Sequence, residues 1–285
     1  MNAKSGSKGL EAWWDRGAVA PDRPLLLIAG PCVLESSDIN RKIAETLAEA
    51  ADQAGMQFVF KASFDKANRS SVHSDRGPGI DSGLAELAAI GESLGVPTLT
   101  DVHEPSQAAI CATAVDMLQV PAFLCRQTDL LTACGETGLP VAVKKGQFLS
   151  PGEMQHVLEK LRDGGCPRMM ATERGTFFGY QRLVNDFVGI GDLQELAASF
   201  NAPVCFDVTH STQLPGGAGS TSGGRPERAP MLARAAVAAG VEALFLECHP
   251  NPAQARSDAS TVLPLETIPA LLRSLGEIRS VISGR

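Results

Sequence analysis

The stretch LLLIAGPC, residues 25–32, combines the two features that decide the fold: a short apolar run and an abrupt Gly-Pro break. Such a run, bounded by turn residues, is typical of a buried strand. Similar runs recur along the chain, and segments with helical periodicity separate them. The eight predicted strands are 25–29, 58–61, 98–101, 117–120, 141–144, 169–172, 204–207 and 243–247.

Strands that alternate with helices indicate repeated βαβ units and a parallel sheet. Eight such units fit an α/β fold of the (β/α)8 TIM barrel type better than an open doubly wound sheet, which remains the alternative. No repeat or linker divides the 285 residues, so we expect one domain: a leader of undetermined order at 1–24, then a barrel at 25–285. The main predicted helices are 38–54, 83–94, 105–114, 151–163, 192–200, 226–239 and 264–282.

Composition excludes several classes of protein. A net charge of −7 argues against non-specific binding of nucleic acid, although it allows a local cationic pocket. Seven cysteines without a CxxC pair predict neither a disulfide framework nor a zinc ribbon, which favours a reducing cytoplasm. No apolar segment has the length of a membrane span or the form of a signal peptide, so we expect no membrane partner.

Polar side chains stand at or just beyond the ends of the predicted strands. In a barrel these ends form a single rim at the C-terminal face, where such enzymes keep their active sites. One polar strand end would be unremarkable, whereas a full ring indicates a functional site. The ring comprises Gly30 and Cys32, Lys61, Asp101, Gln119, Lys144 and Lys145, Glu173 and Arg174, Asp207 and His210, and Glu247 and His249.

Basic residues concentrate at this rim although the chain is acidic overall. The segment FKASFDKANRSS (60–71) contains three of them, and VKKGQF (143–148) and ERGTFF (173–178) add more. In isolation, such a cluster would be a solvated charged loop. Convergence on one rim instead favours a pocket for phosphorylated or carboxylated small molecules. Because side chains alternate along a strand, only one of Lys144 and Lys145 should face that pocket.

A Gly-rich segment, LPGGAGSTSGGRPERAP (214–230), follows the seventh predicted strand. It matches neither the GxxxxGK[ST] nor the GxGxxG nucleotide-binding pattern. We interpret it as a mobile loop over the site, with an ordinary surface loop as the alternative.

A thiol, an imidazole and carboxylates also lie at or beyond strand ends, at Cys32, His210, Glu247 and Asp258. This combination suits a divalent transition metal such as Zn²⁺ or Fe²⁺ better than Mg²⁺ or Ca²⁺. Their spacing is uninformative, since they belong to different loops. A buried structural Cys32 and an ordinary hydrogen-bonded His210 remain the alternatives, and His249 competes as a ligand.

Eight motifs together carry a resemblance to a known family. In order they are KASFDKANRSS, HSDRGPG, TDVHEPSQ, QVPAFLCRQTDL, VKKGQF, ERGTFFGY, FDVTHS and ECHPNP, and across roughly residues 25–275 the chain resembles the 3-deoxy-D-manno-octulosonate 8-phosphate synthases, also called 2-dehydro-3-deoxyphosphooctonate aldolases. The resemblance implies a transferase with a TIM barrel, usually a homotetramer. Such enzymes condense phosphoenolpyruvate with D-arabinose 5-phosphate and water, releasing inorganic phosphate, for lipopolysaccharide biosynthesis.

The resemblance also assigns roles to individual residues, and it gives catalytic roles to Lys61, Lys66, Asp101, Lys144 and Arg174. Family members with Cys after the Gly-Pro are metal-dependent, and their ligands correspond to Cys32, His210, Glu247 and Asp258, with Zn, Fe or Mn as the ion. The phosphoenolpyruvate pocket corresponds to Lys61, Ser63, Lys66, Gln119, Ala122, Lys144 and Arg174, and the aldose phosphate contacts to Asn68, Arg69, Ser70 and Asp101.

Two other functions remain open. A related synthase joins phosphoenolpyruvate to erythrose 4-phosphate in aromatic biosynthesis, and its members typically carry KPRTS where this chain has KANRSS. A barrel that binds anions without catalysis is the second alternative. All of the cationic and metal-binding positions are present, which argues against this alternative, because a barrel that has lost its activity has usually lost at least one such residue.

Overall fold

The computed structural model describes residues 5–16, 23–68, 73–218 and 221–284. Strands and helices alternate through these ranges. The strands are β1 (Leu26–Gly30), β2 (Gln57–Lys61), β3 (Thr98–Asp101), β4 (Met117–Val120), β5 (Val141–Lys144), β6 (Met169–Glu173), β7 (Val204–Asp207), β8 (Gln213–Ala218), β9 (Thr221–Gly224), β10 (Ala243–His249) and β11 (Leu263–Pro264). The helices are α1 (Ser5–Asp15), α2 (Ser37–Gln53), α3 (Ile80–Leu94), α4 (Pro105–Ala112), α5 (Thr128–Gly135), α6 (Met154–Asp163), α7 (Phe187–Ala198), α8 (Ala229–Ala238) and α9 (Ile268–Ile282).

Eight parallel strands close into a barrel within the described ranges. Strands β1 to β7 pair in sequence order, β7 pairs with β10, and β10 pairs with β1. The predicted (β/α)8 TIM barrel is therefore confirmed, and the open doubly wound sheet is wrong. The short strand β11 adds to β10 outside the ring.

Most predicted elements agree with the structure to within a few residues, and three of the differences concern elements around the barrel. Helix α7 begins at Phe187, five residues before its predicted start at 192, because the Asp186 carboxylate caps it by accepting the backbone N–H of Val188 at 3.1 Å and of Gly189 at 3.0 Å. Helix α5, with eight residues, was not predicted. The Gly-rich segment contains the antiparallel hairpin β8–β9 rather than only a loop.

Two apolar layers hold the barrel together. Side chains that point outward from the strands pack under the helices and form the larger core cluster. Side chains that point inward fill the barrel, and they include Ile28, Val59, Met170 and Phe245. Because strand residues alternate between these layers, the parity of a position decides which layer receives its side chain.

Helix α1 closes the N-terminal end of the barrel. Its buried residues Leu10, Trp13 and Trp14 follow helical spacing on one face and belong to the inward-facing cluster. The indole N–H of Trp13 donates to the carbonyl of Pro24 at 2.8 Å, and the Arg23 guanidinium lies 4.3 Å from the centre of the Trp13 ring. Part of the predicted leader is thus a helix that packs against the N-terminal end of the barrel interior.

Among the described helices, none combines the length and apolarity needed to cross a membrane.

Candidate active site

A polar layer lies directly above the apolar filling of the barrel. Each of several strands has an apolar inward residue that is followed, two positions later, by a buried polar one; on β5, for example, Ala142 is followed by Lys144. Since residues two apart on a strand point the same way, these polar side chains enter the barrel mouth. They are Lys61, Asp101, Gln119, Lys144, Asp207 and Glu247, and Arg174 continues the series just beyond β6.

Lys61 connects β1, β2 and β10 at the mouth. Its ammonium donates to Glu247 Oε1 at 2.8 Å and to the carbonyl of Cys32 at 3.1 Å. The neighbouring strand has Gly30 at the point of closest approach, where a Cβ would collide with the Lys61 carbonyl oxygen. The glycine therefore lets β1 and β2 approach each other beneath the site.

Asp101 is the centre of a second set of contacts. Its Oδ2 accepts a hydrogen bond from Ser63, its Oδ1 accepts one from Gln119, and the Lys61 ammonium is 3.8 Å from Oδ2. Burial by itself would raise the pKa of Asp101. The ammonium groups of Lys61 and Lys66 outweigh burial and hold that pKa well below its usual range.

Lys144 forms a third group with Asp207 and His210. The ammonium donates to Asp207 Oδ2 at 2.6 Å and lies 3.6 Å from the centre of the Phe245 ring. His210 Nδ1 is 2.8 Å from the same Asp207 oxygen. Burial would raise the pKa of Asp207, but the charges of His210 and Lys144 lower it, so the carboxylate stays ionised.

A possible metal centre lies between β1 and β10. Ligand atoms of Cys32, Glu247 and Asp258 all lie within 4.8 Å of one another, and they form a three-residue cluster within the described chain. The thiol of Cys32 donates to Asp258 Oδ2 at 2.9 Å. Burial, reinforced by the charges of Asp258 and Glu247, raises the pKa of Cys32. A cation at this position would relieve that repulsion by replacing the thiol proton.

His210, the fourth predicted ligand, lies beside this three-residue cluster and is not part of it. Its Nε2 is 3.6 Å from Glu247 Oε2, and this carboxylate oxygen is buried without a hydrogen-bond partner in the described ranges. Meanwhile, Nδ1 faces Asp207 at 2.8 Å. A ligating histidine usually donates its other ring N–H to a carboxylate in this way. One sulfur, one imidazole nitrogen and two carboxylates are ligands that Zn²⁺ or Fe²⁺ accepts.

Arg174, just beyond the end of β6, offers an open anion site at the mouth. The guanidinium is buried, and its Nη2 donates to Gln213 Oε1 at 2.5 Å. Burial lowers the pKa of Arg174, and Asp207 and Glu173 oppose that shift. Its Nη1 is buried without a hydrogen-bond partner among the residues that the structure describes. A desolvated cation with an unused donor is suited to a phosphate or carboxylate oxygen.

Comparison with known proteins decides the family. The model of the DAHP synthetase I family matches residues 15–283. A 2-dehydro-3-deoxyphosphooctonate aldolase from Synechococcus sp. is 50% identical over 269 residues, which cover 94% of this chain and 93% of the relative. Relatives of the same name from Alkalilimnicola ehrlichii and Nitratidesulfovibrio vulgaris are 51% and 52% identical, with 94% and 90% of this chain and 95% and 92% of the relatives covered. The chain belongs to the 2-dehydro-3-deoxyphosphooctonate aldolase family.

Most residues that the sequence indicated for this aldolase site converge at the barrel mouth. Lys66 is half-buried near Cys32 and Glu247. Burial would lower its pKa, and the nearby carboxylates of Glu247 and Asp101 raise it. Ala122 lies in the short helix that follows β4, at the same end of the barrel. Asn68 is exposed. Arg69 and Ser70 lie outside the described residues.

Sequence reasoning assigned no role to three other residues at this aldolase-family site. Asp207 is, in the sequence, only one of the polar strand ends. Because it lies two residues after the inward-facing Cys205 on β7, its side chain could have been expected at the mouth. Gln213, which contacts Arg174, belongs to the unpredicted hairpin and had no sequence signal. His103 lies against Phe64 with ring centres 5.9 Å apart, and burial lowers its pKa.

Proposed function

We propose that this chain condenses phosphoenolpyruvate with D-arabinose 5-phosphate and water to give 3-deoxy-D-manno-octulosonate 8-phosphate and inorganic phosphate. The observation that carries the proposal is about 50% identity, over 94% of the chain, to relatives named for this aldolase. The cations at the barrel mouth support it, because both substrates are phosphorylated. Lipopolysaccharide biosynthesis is the pathway that uses such a product.

Lys61, Lys66, Lys144 and Arg174 hold the anionic groups of phosphoenolpyruvate. Lys144 and Arg174 come from neighbouring strands β5 and β6 and offer two desolvated cations side by side. Ser63, Gln119 and Ala122 line the same pocket, as the family motifs indicate. Fixed cations in a closed, water-poor mouth stabilise the charge that develops as phosphate leaves.

The reaction forms one carbon–carbon bond, and at C2 it replaces the carbon–oxygen bond to phosphate by one to the oxygen of water. The electron pair of the enol double bond attacks the aldehyde carbon from C3, and the aldehyde oxygen takes up a proton. Water adds to C2 and loses a proton, and the tetrahedral phosphate then collapses as the C2–O bond breaks and inorganic phosphate departs. Ser63 and Gln119 hold Asp101 at the barrel mouth. The family motif assigns Asp101 to the aldose phosphate subsite, together with Asn68, Arg69 and Ser70.

Cys32, His210, Glu247 and Asp258 hold a divalent ion, for which Zn²⁺, Fe²⁺ and Mn²⁺ are the candidates. When bound, the ion supplies Lewis acidity towards the aldehyde. The buried, unpaired Oε2 of Glu247 and the Asp207–His210 contact support this assignment. Asp207 fixes the His210 ring so that Nε2 points towards Glu247.

The family pattern also supports a homotetramer in the cytoplasm. The seven cysteines are all buried and unpaired in the described chain, which suits a reducing compartment.

Phosphate release tests the proposed reaction. The purified chain is incubated with phosphoenolpyruvate and either arabinose 5-phosphate or erythrose 4-phosphate, and inorganic phosphate is measured. We expect arabinose 5-phosphate to be preferred by more than about tenfold, because the run KANRSS replaces the KPRTS motif of the erythrose 4-phosphate synthases. Equal or reversed rates would favour the erythrose 4-phosphate synthase. If no phosphate is released with either sugar phosphate, the result would favour the non-catalytic barrel.

Chelation tests the metal assignment separately. Prolonged treatment with chelator should abolish turnover, and Zn²⁺, Fe²⁺ or Mn²⁺ should restore it. Cys32→Ser should weaken metal retention, measured by elemental analysis after gel filtration, because a hydroxyl is a poorer ligand for soft metals than a thiolate. Full activity in protein shown to be free of metal would refute the metal assignment and leave the condensation reaction intact.

A further inference from the structure

Two adjacent dipeptides at the mouth, Lys144-Lys145 on β5 and Glu173-Arg174 on β6, divide their side chains between two layers. Strand alternation sends Lys144 and Arg174 into the barrel mouth. The same alternation sends Lys145 and Glu173 outward. Each lies two residues after a residue of the outer core, Val143 or Ala171, and points the same way. An outer pair of opposite charges thus lies behind an inner pair of cations.

The outer pair is buried and tied into both loops. Lys145 is fully buried at 0% exposure, and its ammonium is 3.5 Å from Glu173 Oε2. It also donates to the carbonyl of Leu149 at 3.0 Å and to Thr176 Oγ1 at 3.2 Å. One ammonium therefore joins the loop after β5 to the turn after β6.

Glu173 fixes the backbone from which Arg174 projects. Its Oε1 accepts the backbone N–H of Arg174 at 2.9 Å and of Gly175 at 2.6 Å. Gly175 has φ of +90°, and a Cβ there would lie 2.9 Å from the Cβ of Leu183. The turn is therefore closely packed, and the Glu173 carboxylate fixes its backbone through these two hydrogen bonds.

We propose that Lys145 and Glu173 are positioning residues for the phosphoenolpyruvate end of the site. They aim the Arg174 guanidinium, and neither of them touches substrate. A buried ion pair is weak as a stabilising device, because an apolar pair of similar volume does as well. Its position behind Arg174 instead suits the precise placement of a phosphate-binding group, where a shift of about 1 Å is costly. This inference rests on the proposed function.

The test uses Glu173→Gln, which keeps the length of the side chain and removes its charge. We expect the KM for phosphoenolpyruvate to rise roughly 10- to 100-fold, while the KM for arabinose 5-phosphate stays within about twofold. The control is Glu242→Gln at the opposite end of the barrel, where the carboxylate also accepts a backbone N–H, that of Val204 at 2.8 Å. The control should leave both KM values unchanged.

The double variant Lys145→Met/Glu173→Gln separates positioning from stability. It leaves no unpaired buried charge, whereas each single variant, Lys145→Met or Glu173→Gln, leaves one. Its melting temperature should therefore lie above those of these two single variants. The KM for phosphoenolpyruvate should nevertheless stay high. If that KM returns to the wild-type value along with stability, or if both KM values rise equally, the pair is only structural and the proposal is wrong. An unchanged KM in Glu173→Gln would also overturn it.

Failure of the proposed function has a different signature. In that case the wild-type chain itself would release no phosphate from phosphoenolpyruvate with arabinose 5-phosphate. Should either single variant fail to fold, the double variant still carries the test, because its unfolded fraction and its KM are measured independently.

Discussion

The two ends of the barrel are built from the same strands but contain opposite kinds of side chain. At the C-terminal end, the inward positions carry buried charges such as Lys61, Lys144 and Glu247. At the N-terminal end, Trp13 and Trp14 of α1 pack on apolar inward residues. In a parallel barrel, one rim collects the loops that carry chemistry, so the other end is free to supply stability.

Buried charge is tolerated at the C-terminal end because opposite charges neutralise one another there. Lys61 is 2.8 Å from Glu247, and Lys144 is 2.6 Å from Asp207. Arg174 differs, since one of its terminal nitrogens has no hydrogen-bond partner in the described chain. The C-terminal end therefore combines neutralised ion pairs with an open anion site, whereas the N-terminal end is apolar, so substitutions at the two ends should have separable effects.

The largest effect should follow Trp13→Ala at the N-terminal end. Removal of a large buried aromatic side chain typically costs about 3–5 kcal/mol, so the free energy of unfolding should fall by that amount. Denaturant titration at fixed protein concentration measures it. At a temperature where the variant is folded, kcat and both KM values should match the wild type. Trp13→Phe is the control and should recover most of the stability; a parallel loss of kcat would contradict the separation of the two ends.

Arg174→Met at the C-terminal end should show the opposite pattern. A lost hydrogen bond to a charged group costs roughly 1.5–3 kcal/mol, so the apparent affinity for phosphoenolpyruvate should fall about 10- to 150-fold. The melting temperature should change little, since burial of the cation is itself unfavourable. Steady-state kinetics with each substrate varied in turn measures the change. A larger loss for arabinose 5-phosphate would show that Arg174 serves the other subsite.

Asp101→Asn should reduce stability in a pH-dependent way. Lys61 and Lys66 hold the folded-state pKa of Asp101 below its unfolded value of about 3.9. The stabilisation is therefore fully present above the unfolded pKa and is lost as pH falls towards the folded pKa. We expect the wild type to exceed the variant by about 1 kcal/mol at pH 7 and the difference to shrink below about pH 4. Unfolding free energies from pH 7 to pH 3 measure it, and a constant difference would contradict the coupling.

The smallest effect should follow Asp15→Asn. This residue ends α1 and is 3.2 Å from Arg168, but the Asp15 side chain is 68% exposed. Exposed ion pairs contribute about 0.2–1 kcal/mol, so the melting temperature should fall only slightly and less at high salt. Thermal unfolding at low and high ionic strength provides the check. A loss of stability comparable to that of Trp13→Ala would mean that the ion pair, rather than the aromatic packing, holds helix α1 against the barrel.

Local pattern predicted the barrel strands well because each apolar run is bounded by turn residues. Four predicted strands have the observed bounds, as 98–101 illustrates. The short helix α5 and the hairpin β8–β9 were missed, since neither has a periodicity that stands out from its surroundings. Helix α5 can lie close to α6 because Gly135 has no side chain: a Cβ there would be 2.9 Å from the Gly164 carbonyl oxygen. Such packing requirements do not appear in a local pattern.

The sequence by itself determined the order of the eight barrel strands, the polar ring at the strand ends, and the rule that only one of Lys144 and Lys145 faces the mouth. These follow from short-range periodicity, which the chain carries within a few residues. The tertiary structure decided that Cys32 meets Asp258 across 226 positions of sequence and that Trp13 fills the barrel. It also paired Asp207 with Lys144. Closure of the barrel creates these contacts, because it brings together loops whose distance in space no local pattern encodes.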